Sequence, residues 1–263
     1  MVEPPSGHPV LVRTVRLDDL TPTQQSVLTA ATTPSDAAEL ARVLDRRAAR
    51  RRLLARGLLR VLLAEALGVP TGRVEVARGP GGKPSLTTEA RAPGSRLAFN
   101  VSHSRDVAVV AMARERAVGV DVEAIDLSLD MDAIARRFFA PAEAASLLAL
   151  PPAGKPAQFF RDWCRKEAVL KAAGTGLRRG LHEVLTPGVP FARCPVSVPG
   201  TPGWWVMDLE VSPGFCCAVA AEGQDWVAEV LPWPEVSGAV RPALSCQFDN
   251  SVLVAPRRPG CSR

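Results

Sequence analysis

Apolar positions fall into helix-like and strand-like stretches along the chain. From Pro34 they recur at Leu40, Val43, Leu44, Leu54, Leu58, Val61 and Leu62, close to helical spacing. Thr33 suits an N-cap, Pro34 the first helical position and Asp36 the first turn, while Gly68 and Pro70 end the pattern. The spacing predicts one long helix that Gly57 bends or splits. Downstream, strands are expected over 97–101, 107–113 and 118–123. Helices follow at about 130–139, 141–150 and 156–173, the last stopped by Gly174. Short strands follow near Val196 and over 204–211, 215–221 and 227–230, with Pro213-Gly214 as a turn.

Helix followed by strands occurs twice, without an evident sequence repeat. We therefore expect one half over 1–115 and a second over 116–231. From Pro232 the chain turns rich in Pro, Ser and Gly and loses its period, so 232–263 is expected to be a mobile or loosely attached tail.

Composition narrows the class. The 263 residues, 47% apolar and 22% charged, are enough for a soluble globular protein with a sizeable core. A balance of 32 basic against 27 acidic residues, net +5, suits anionic partners. Nucleic-acid binding needs a concentrated basic patch interleaved with aromatics, and aromatics are only 5%. The segment around Glu3, Pro4, Pro5 and His8 lacks a signal pattern, and no apolar run nears the ~20 residues that span a bilayer, so a cytoplasmic protein without membrane contact is expected. Cys164, Cys194, Cys216, Cys217, Cys246 and Cys261 show no CxxC or zinc spacing and read as reduced thiols.

Val118-Gly119-Val120-Asp121-Val122-Glu123 alternates strictly, so in a strand the three valines share one face and both acids the other, about 7 Å apart. Such a pair either binds a hard cation such as Mg²⁺ or lies on the wet face of an edge strand. In Trp163-Cys164-Arg165-Lys166-Glu167-Ala168-Val169-Leu170-Lys171, the residues Trp163, Glu167 and Lys171 line one helix face. This is either a third carboxylate beside a lysine at a metal–phosphate site or a surface Glu167–Lys171 pair. Asn100-Val101-Ser102-His103-Ser104 and the turn Gly81-Gly82-Lys83-Pro84 offer polar groups and free N–H groups to phosphate, or are ordinary loops. Arg46, Arg47, Arg50, Arg51 and Arg52 read as a solvated helix face.

In this order and spacing, GGKP, NVSHS, GVDVE and WCRKEAVLK followed by AAGTGL resemble the 4′-phosphopantetheinyl transferase superfamily, over about residues 40–222. With both halves in one chain, the sequence is similar to the type serving nonribosomal peptide and polyketide synthetases.

The resemblance implies an α+β fold of two similar subdomains related by pseudo-twofold symmetry, with coenzyme A between them. It implies Mg²⁺ on Asp121, Glu123 and Glu167, with Lys171 at the pyrophosphate. Ser102, His103, Lys83 and the adjoining Pro84 would hold the coenzyme, with His103 at the 3′-phosphate and Arg51 and Arg52 nearby. Glu167 is also the candidate base. The implied reaction moves phosphopantetheine to a serine of an acyl or peptidyl carrier protein and releases 3′,5′-ADP, in a monomer. The rivals are a metal-dependent hydrolase of the coenzyme's pyrophosphate and an inactive binding module.

Overall fold

The computed structural model describes residues 9–79, 83–87, 96–174, 180–186, 191–201 and 203–233. Outside them lie Gly81 and Gly82, the Thr175-Gly176-Leu177 stretch, Cys246 and Cys261, the first eight residues and the expected tail from 234 onward.

The first half opens with β1 (Val10–Arg16) and α1 (Pro22–Ala30), neither read from the sequence, followed by α2 (Pro34–Leu40) and α3 (Arg46–Leu67). Then come β2 (Val76–Arg78), β3 (Pro84–Leu86), β4 (Leu97–Ser104) and β5 (Val107–Arg114). The second half contains β6 (Val118–Ala124), α4 (Met131–Phe138), α5 (Pro141–Leu148), α6 (Lys155–Ala173), β7 (Cys194–Val196), β8 (Trp204–Asp208), β9 (Phe215–Glu222) and β10 (Ala228–Pro232).

The expected single helix from Pro34 is two. Thr33 caps α2 with Asp36 reaching back to it, as anticipated, but Asp45 caps a fresh start at α3 by accepting from the Arg47 and Ala48 N–H groups. Gly57 does not divide α3. A Cβ there would lie 2.0 Å from the Leu28 carbonyl oxygen, so this glycine lets α1 and α3 touch through their backbones.

Two four-stranded sheets, ordered β10-β1-β5-β4 and β6-β9-β8-β7, stack face to face. β5 is apolar and buried on both faces. Ala108, Val110 and Met112 meet α3, whereas Val107, Val109, Ala111 and Ala113 meet the valines of β6 and Val219 of β9. The far side of the second sheet carries α6 through Ala168, Leu170 and Ala172 against Ala218 and Ala220. The protein is thus an α+β stack, helix–sheet–sheet–helix. Each fully buried aliphatic contributes about 1.5–3 kcal/mol.

β10 leaves the second half to pair in parallel with β1, and Trp233 is buried in the first core. Both residues at the start of the expected tail, Pro232 and Trp233, are therefore part of the folded body. Among the described residues no helix is long and apolar enough to cross a membrane.

Two buried pairs fasten α6. Arg165 forks onto Asp208 of β8 with both bonds at 2.7 Å, and Lys166 donates to Glu143 of α5 at 2.6 Å. Breaking such a pair from one side costs about 3–5 kcal/mol, because the other charge is stranded.

Candidate active site

The GVDVE alternation survives in three dimensions. Val118, Val120 and Val122 are fully buried between the sheets, so Asp121 and Glu123 turn toward α6. The wet-face alternative fails, since Asp121 is only 2% exposed. Gly119 sets the approach of the helix. A Cβ there would stand 2.1 Å from the Ala168 carbonyl oxygen and 2.3 Å from the Ala172 nitrogen. β6 and α6 meet backbone to backbone, with Glu167 and Lys171 flanking the contact.

Lys171 does not form the surface pair with Glu167. Its Nζ donates to Asp121 Oδ1 at 2.6 Å and to Ser102 Oγ at 3.1 Å. Burial alone would lower the Lys171 pKa, but the charges of Asp121, Glu167 and Glu123 outweigh it and hold the ammonium above its ordinary range. Burial raises the Glu123 carboxyl, with Asp121 adding repulsion and Ser104 and Lys171 opposing. Burial likewise raises Glu167, again with repulsion from Asp121. The second oxygen of Asp121, Oδ2, is buried and has no hydrogen-bond partner among the described residues. Three carboxylates sharing one nearby ammonium, one of them with an orphaned oxygen, make an all-oxygen donor set that fits a hard divalent cation. As they stand, however, no three His, Cys, Asp or Glu side chains among the described residues are grouped closely enough to hold a metal ion.

A cavity of about 590 Å³ opens beside these groups, between α3 and the end of α6. Arg52, Lys83, Pro84, His103, Glu167 and Lys171, all singled out in the sequence, line it. Ser102 is buried against Asp121 and is not in the wall. Lys83 lines the cavity but donates its protons to the Val118 and Ala172 carbonyls, and burial lowers its pKa to about 8. Burial among its neighbours lowers the His103 pKa too, with the charges of Arg52, Lys171 and Arg56 adding to the effect, although the residue itself is exposed.

Arg51 departs from expectation. It turns away from the cavity and forks onto Asp18, with its Nε at 3.0 Å. Successive helical residues point about 100° apart, so adjacent arginines on α3 cannot both face one cavity. The wall instead takes Arg56 and Arg60, four and eight residues beyond Arg52, which the sequence reading missed. Their i, i+4, i+8 spacing was the available signal. Asp36 accepts from Arg56 at 3.0 Å and pairs with Arg60 at 2.7 Å, and Glu39 also holds Arg56. Arg52 has no ion-pair partner among the described residues, so it faces the cavity as a free cation.

Comparison with known proteins gives the family. Residues 117–205 match the family model described as the 4′-phosphopantetheinyl transferase superfamily, and residues 19–115 match the one described as 4′-phosphopantetheinyl transferase, N-terminal. The chain is 38% identical over 181 residues to the 4′-phosphopantetheinyl transferase HetI of Nostoc sp., covering 67% of this chain and 73% of that protein. It is 37% identical over 133 residues to the 4′-phosphopantetheinyl transferase psf-1 of Bacillus pumilus, covering 51% and 54% respectively. It is 28% identical over 150 residues to the human L-aminoadipate-semialdehyde dehydrogenase-phosphopantetheinyl transferase, covering 55% and 48%. The matched stretches thus span about half of the latter two relatives.

Proposed function

Because this chain belongs to the 4′-phosphopantetheinyl transferase superfamily, we propose that it transfers the phosphopantetheine arm of coenzyme A to a serine of an apo carrier protein, in a Mg²⁺-dependent reaction that releases 3′,5′-ADP. One observation carries this reading: a cavity whose basic wall, Arg52, Arg56, Arg60 and His103, comes from the first half and whose far end is Glu167 and Lys171 beside Asp121. Its size and charge suit an extended polyanion.

Asp121, Glu123 and Glu167 would hold the cation, which when bound neutralises phosphate charge and orients the leaving group. The other duties fall to side chains of this chain. The acceptor serine's oxygen forms a bond to the pantetheine-side phosphorus as the bond to the 3′,5′-ADP oxygen breaks. The hydroxyl proton passes to Glu167, the carboxylate of α6 that lines the cavity. Lys171 stays protonated and sets its charge against the departing phosphate. His103 and Arg52 take the 3′-phosphate. A monomer suffices, since both walls belong to one chain. We place the protein in the cytoplasm, in keeping with its free cysteines at 164, 194, 216 and 217.

Intact mass spectrometry tests the reading. Apo peptidyl, polyketide and fatty-acid carrier proteins are incubated with the chain, coenzyme A and Mg²⁺. The expected product is a carrier heavier by one phosphopantetheine, formed only with Mg²⁺. Coenzyme A consumed without any acceptor would identify a hydrolase instead. Coenzyme A bound but intact in every mixture would identify a binding module.

A further inference from the structure

β6 is an edge strand of the second sheet, paired through its backbone with β9 alone. Its other edge presents an N–H group at every second residue, and buried N–H groups need acceptors. β4, the edge strand of the first sheet, supplies them from side chains. Asn100 Oδ1 accepts from the Val120 N–H at 3.0 Å, Ser102 Oγ from Val122 at 3.4 Å and Ser104 Oγ from Ala124 at 3.1 Å. The two-residue period of one strand meets the two-residue period of the other, so one ladder of side chains stitches the two halves together.

The serines do more than cap the edge. A hydroxyl carries one proton and two lone pairs, so it can accept from an N–H and donate elsewhere at once. Ser102 donates to Asp121 Oδ1 at 2.9 Å, and Ser104 donates to Glu123 Oε2 at 2.8 Å. Each acid is therefore held by the same hydroxyl that holds the backbone one residue beyond it. One oxygen of Asp121 is fixed and the other, Oδ2, is left buried and free.

We propose that Asn100 and Ser104 are positioning residues, which hold β6 and its two acids in the orientation a cation needs by standing in for a neighbouring strand. This rests on the metal-dependent reading above. Ser102 already has a part in that reading; Ser104 has none, and Asn100 enters it only as part of the cavity wall.

The test compares wild type with Ser104→Ala, Ser104→Thr and Asn100→Ala in the full chain, with coenzyme A but no acceptor. Calorimetry reads the Mg²⁺ concentration needed for tight coenzyme binding, and hydrogen exchange reads the Val120 and Ala124 amides. Removing a group that orients a metal ligand costs about 10–100-fold in metal affinity, so Ser104→Ala should need that much more Mg²⁺. The Ala124 amide should exchange faster in this variant, and that of Val120 in Asn100→Ala. Ser104→Thr keeps the hydroxyl and should restore both readings. Should Ser104→Ala not fold, Ser104→Cys fills the space with a weak donor and should shift both readings the same way. Leu62→Ala, deep in the first core, is the control for lost stability and should leave the Mg²⁺ requirement unchanged. A wild-type Mg²⁺ requirement in Ser104→Ala, whatever its melting temperature, would overturn the proposal. If wild type itself shows no Mg²⁺ effect, the metal reading falls instead, and the amides then decide: unchanged exchange overturns the ladder and faster exchange upholds it.

Discussion

Two sets of acids in this protein, one packed against the arginines of α3 and one where β6 meets α6, are treated in opposite ways. Asp18 and Asp36, in the first half, are matched to arginine. Asp18 takes Arg51 and Arg47, and the hydrogen bond from Arg51 holds its carboxyl well below the usual range. Burial pushes Asp36 up, but bonds from Thr33 and the charges of Arg60 and Arg56 outweigh it and leave it lowered. In the second half Asp121, Glu123 and Glu167 stand around the single ammonium of Lys171, and burial raises both glutamates. The same residue types therefore hold arginines in a wall on one side and remain short of positive charge on the other. Charge left unmatched at partly buried positions stabilises no fold, so it marks the side where chemistry happens.

The largest effect should come from removing an acid on the unmatched side. Asp121→Ala should lower transfer about a thousandfold or more, since a direct metal ligand accounts for several kcal/mol of transition-state stabilisation. The fold should persist, because the valine face of β6 is untouched. Turnover at limiting Mg²⁺, beside a circular dichroism melt, checks both. Near-normal turnover would mean that the unmatched acids are not ligands.

Gly119→Ala should come next. The added methyl must push α6 from β6, because the atoms it meets belong to the Ala168 and Ala172 backbone and cannot rotate aside. Overpacking of this kind costs about 1–3 kcal/mol of stability. Misplacing Glu167 and Lys171 by a fraction of an ångström should cost about a hundredfold in rate. A variant that melts lower yet turns over normally would show that the helix can shift without harm to the site.

The matched side should show a smaller, ligand-selective effect. His103→Ala and Arg52→Ala should each weaken use of coenzyme A about 10–100-fold, the worth of a charge-assisted bond to phosphate. With dephospho-coenzyme A, which lacks the 3′-phosphate, the penalty should largely vanish. Equal penalties with both donors would move these residues to another part of the coenzyme. Arg51→Ala, which breaks only the Asp18 pair, should leave both donors unaffected.

Much of this division was legible in the sequence, and the rest was hidden for definite reasons. The Thr33–Asp36 cap, the helix stops at Gly68 and Gly174 and the alternation of β6 are local signals, and each appears where expected. β1 was not legible because its partners, β5 and β10, lie about 100 and 200 residues away and because Arg13, Thr14 and Arg16 interrupt its apolar run. The start of α3 was obscured because apolar Val43 and Leu44 continue the helical period through the break, yet Leu44 is 98% exposed. Arg56 and Arg60 were hidden because their partner Asp36 belongs to another helix. NVSHS was read for its phosphate-binding polarity. Its more regular use, an Asn-Ser-Ser ladder onto another strand's edge, needs both strands in place to be seen.

The smallest effect is a matter of sign, and it separates the two sets of acids most cleanly. Stability is measured without divalent cations, with a chelator present. The folded pKa of Glu167 is raised, so its contribution to stability is fully present below the unfolded value of 4.5 and is lost as pH rises through the folded one. At pH 7 wild type therefore carries the whole penalty of a charged, crowded Glu167, and Glu167→Gln removes it. The variant should be more stable than wild type, with a higher Tm, and the gain should fade as pH drops toward 4. Asp18 is the mirror image. Its folded pKa is lowered, so its stabilisation is present above the unfolded value of 3.8 and is lost only as pH falls through the folded one. Asp18→Asn should then cost up to about 1 kcal/mol at pH 7, the usual worth of a surface ion pair, and the difference should shrink in strong acid. Opposite signs at pH 7 are the outcome that upholds the comparison. If Glu167→Gln is destabilised as Asp18→Asn is, the acids around Lys171 are matched after all, and Glu167 serves the fold rather than the reaction.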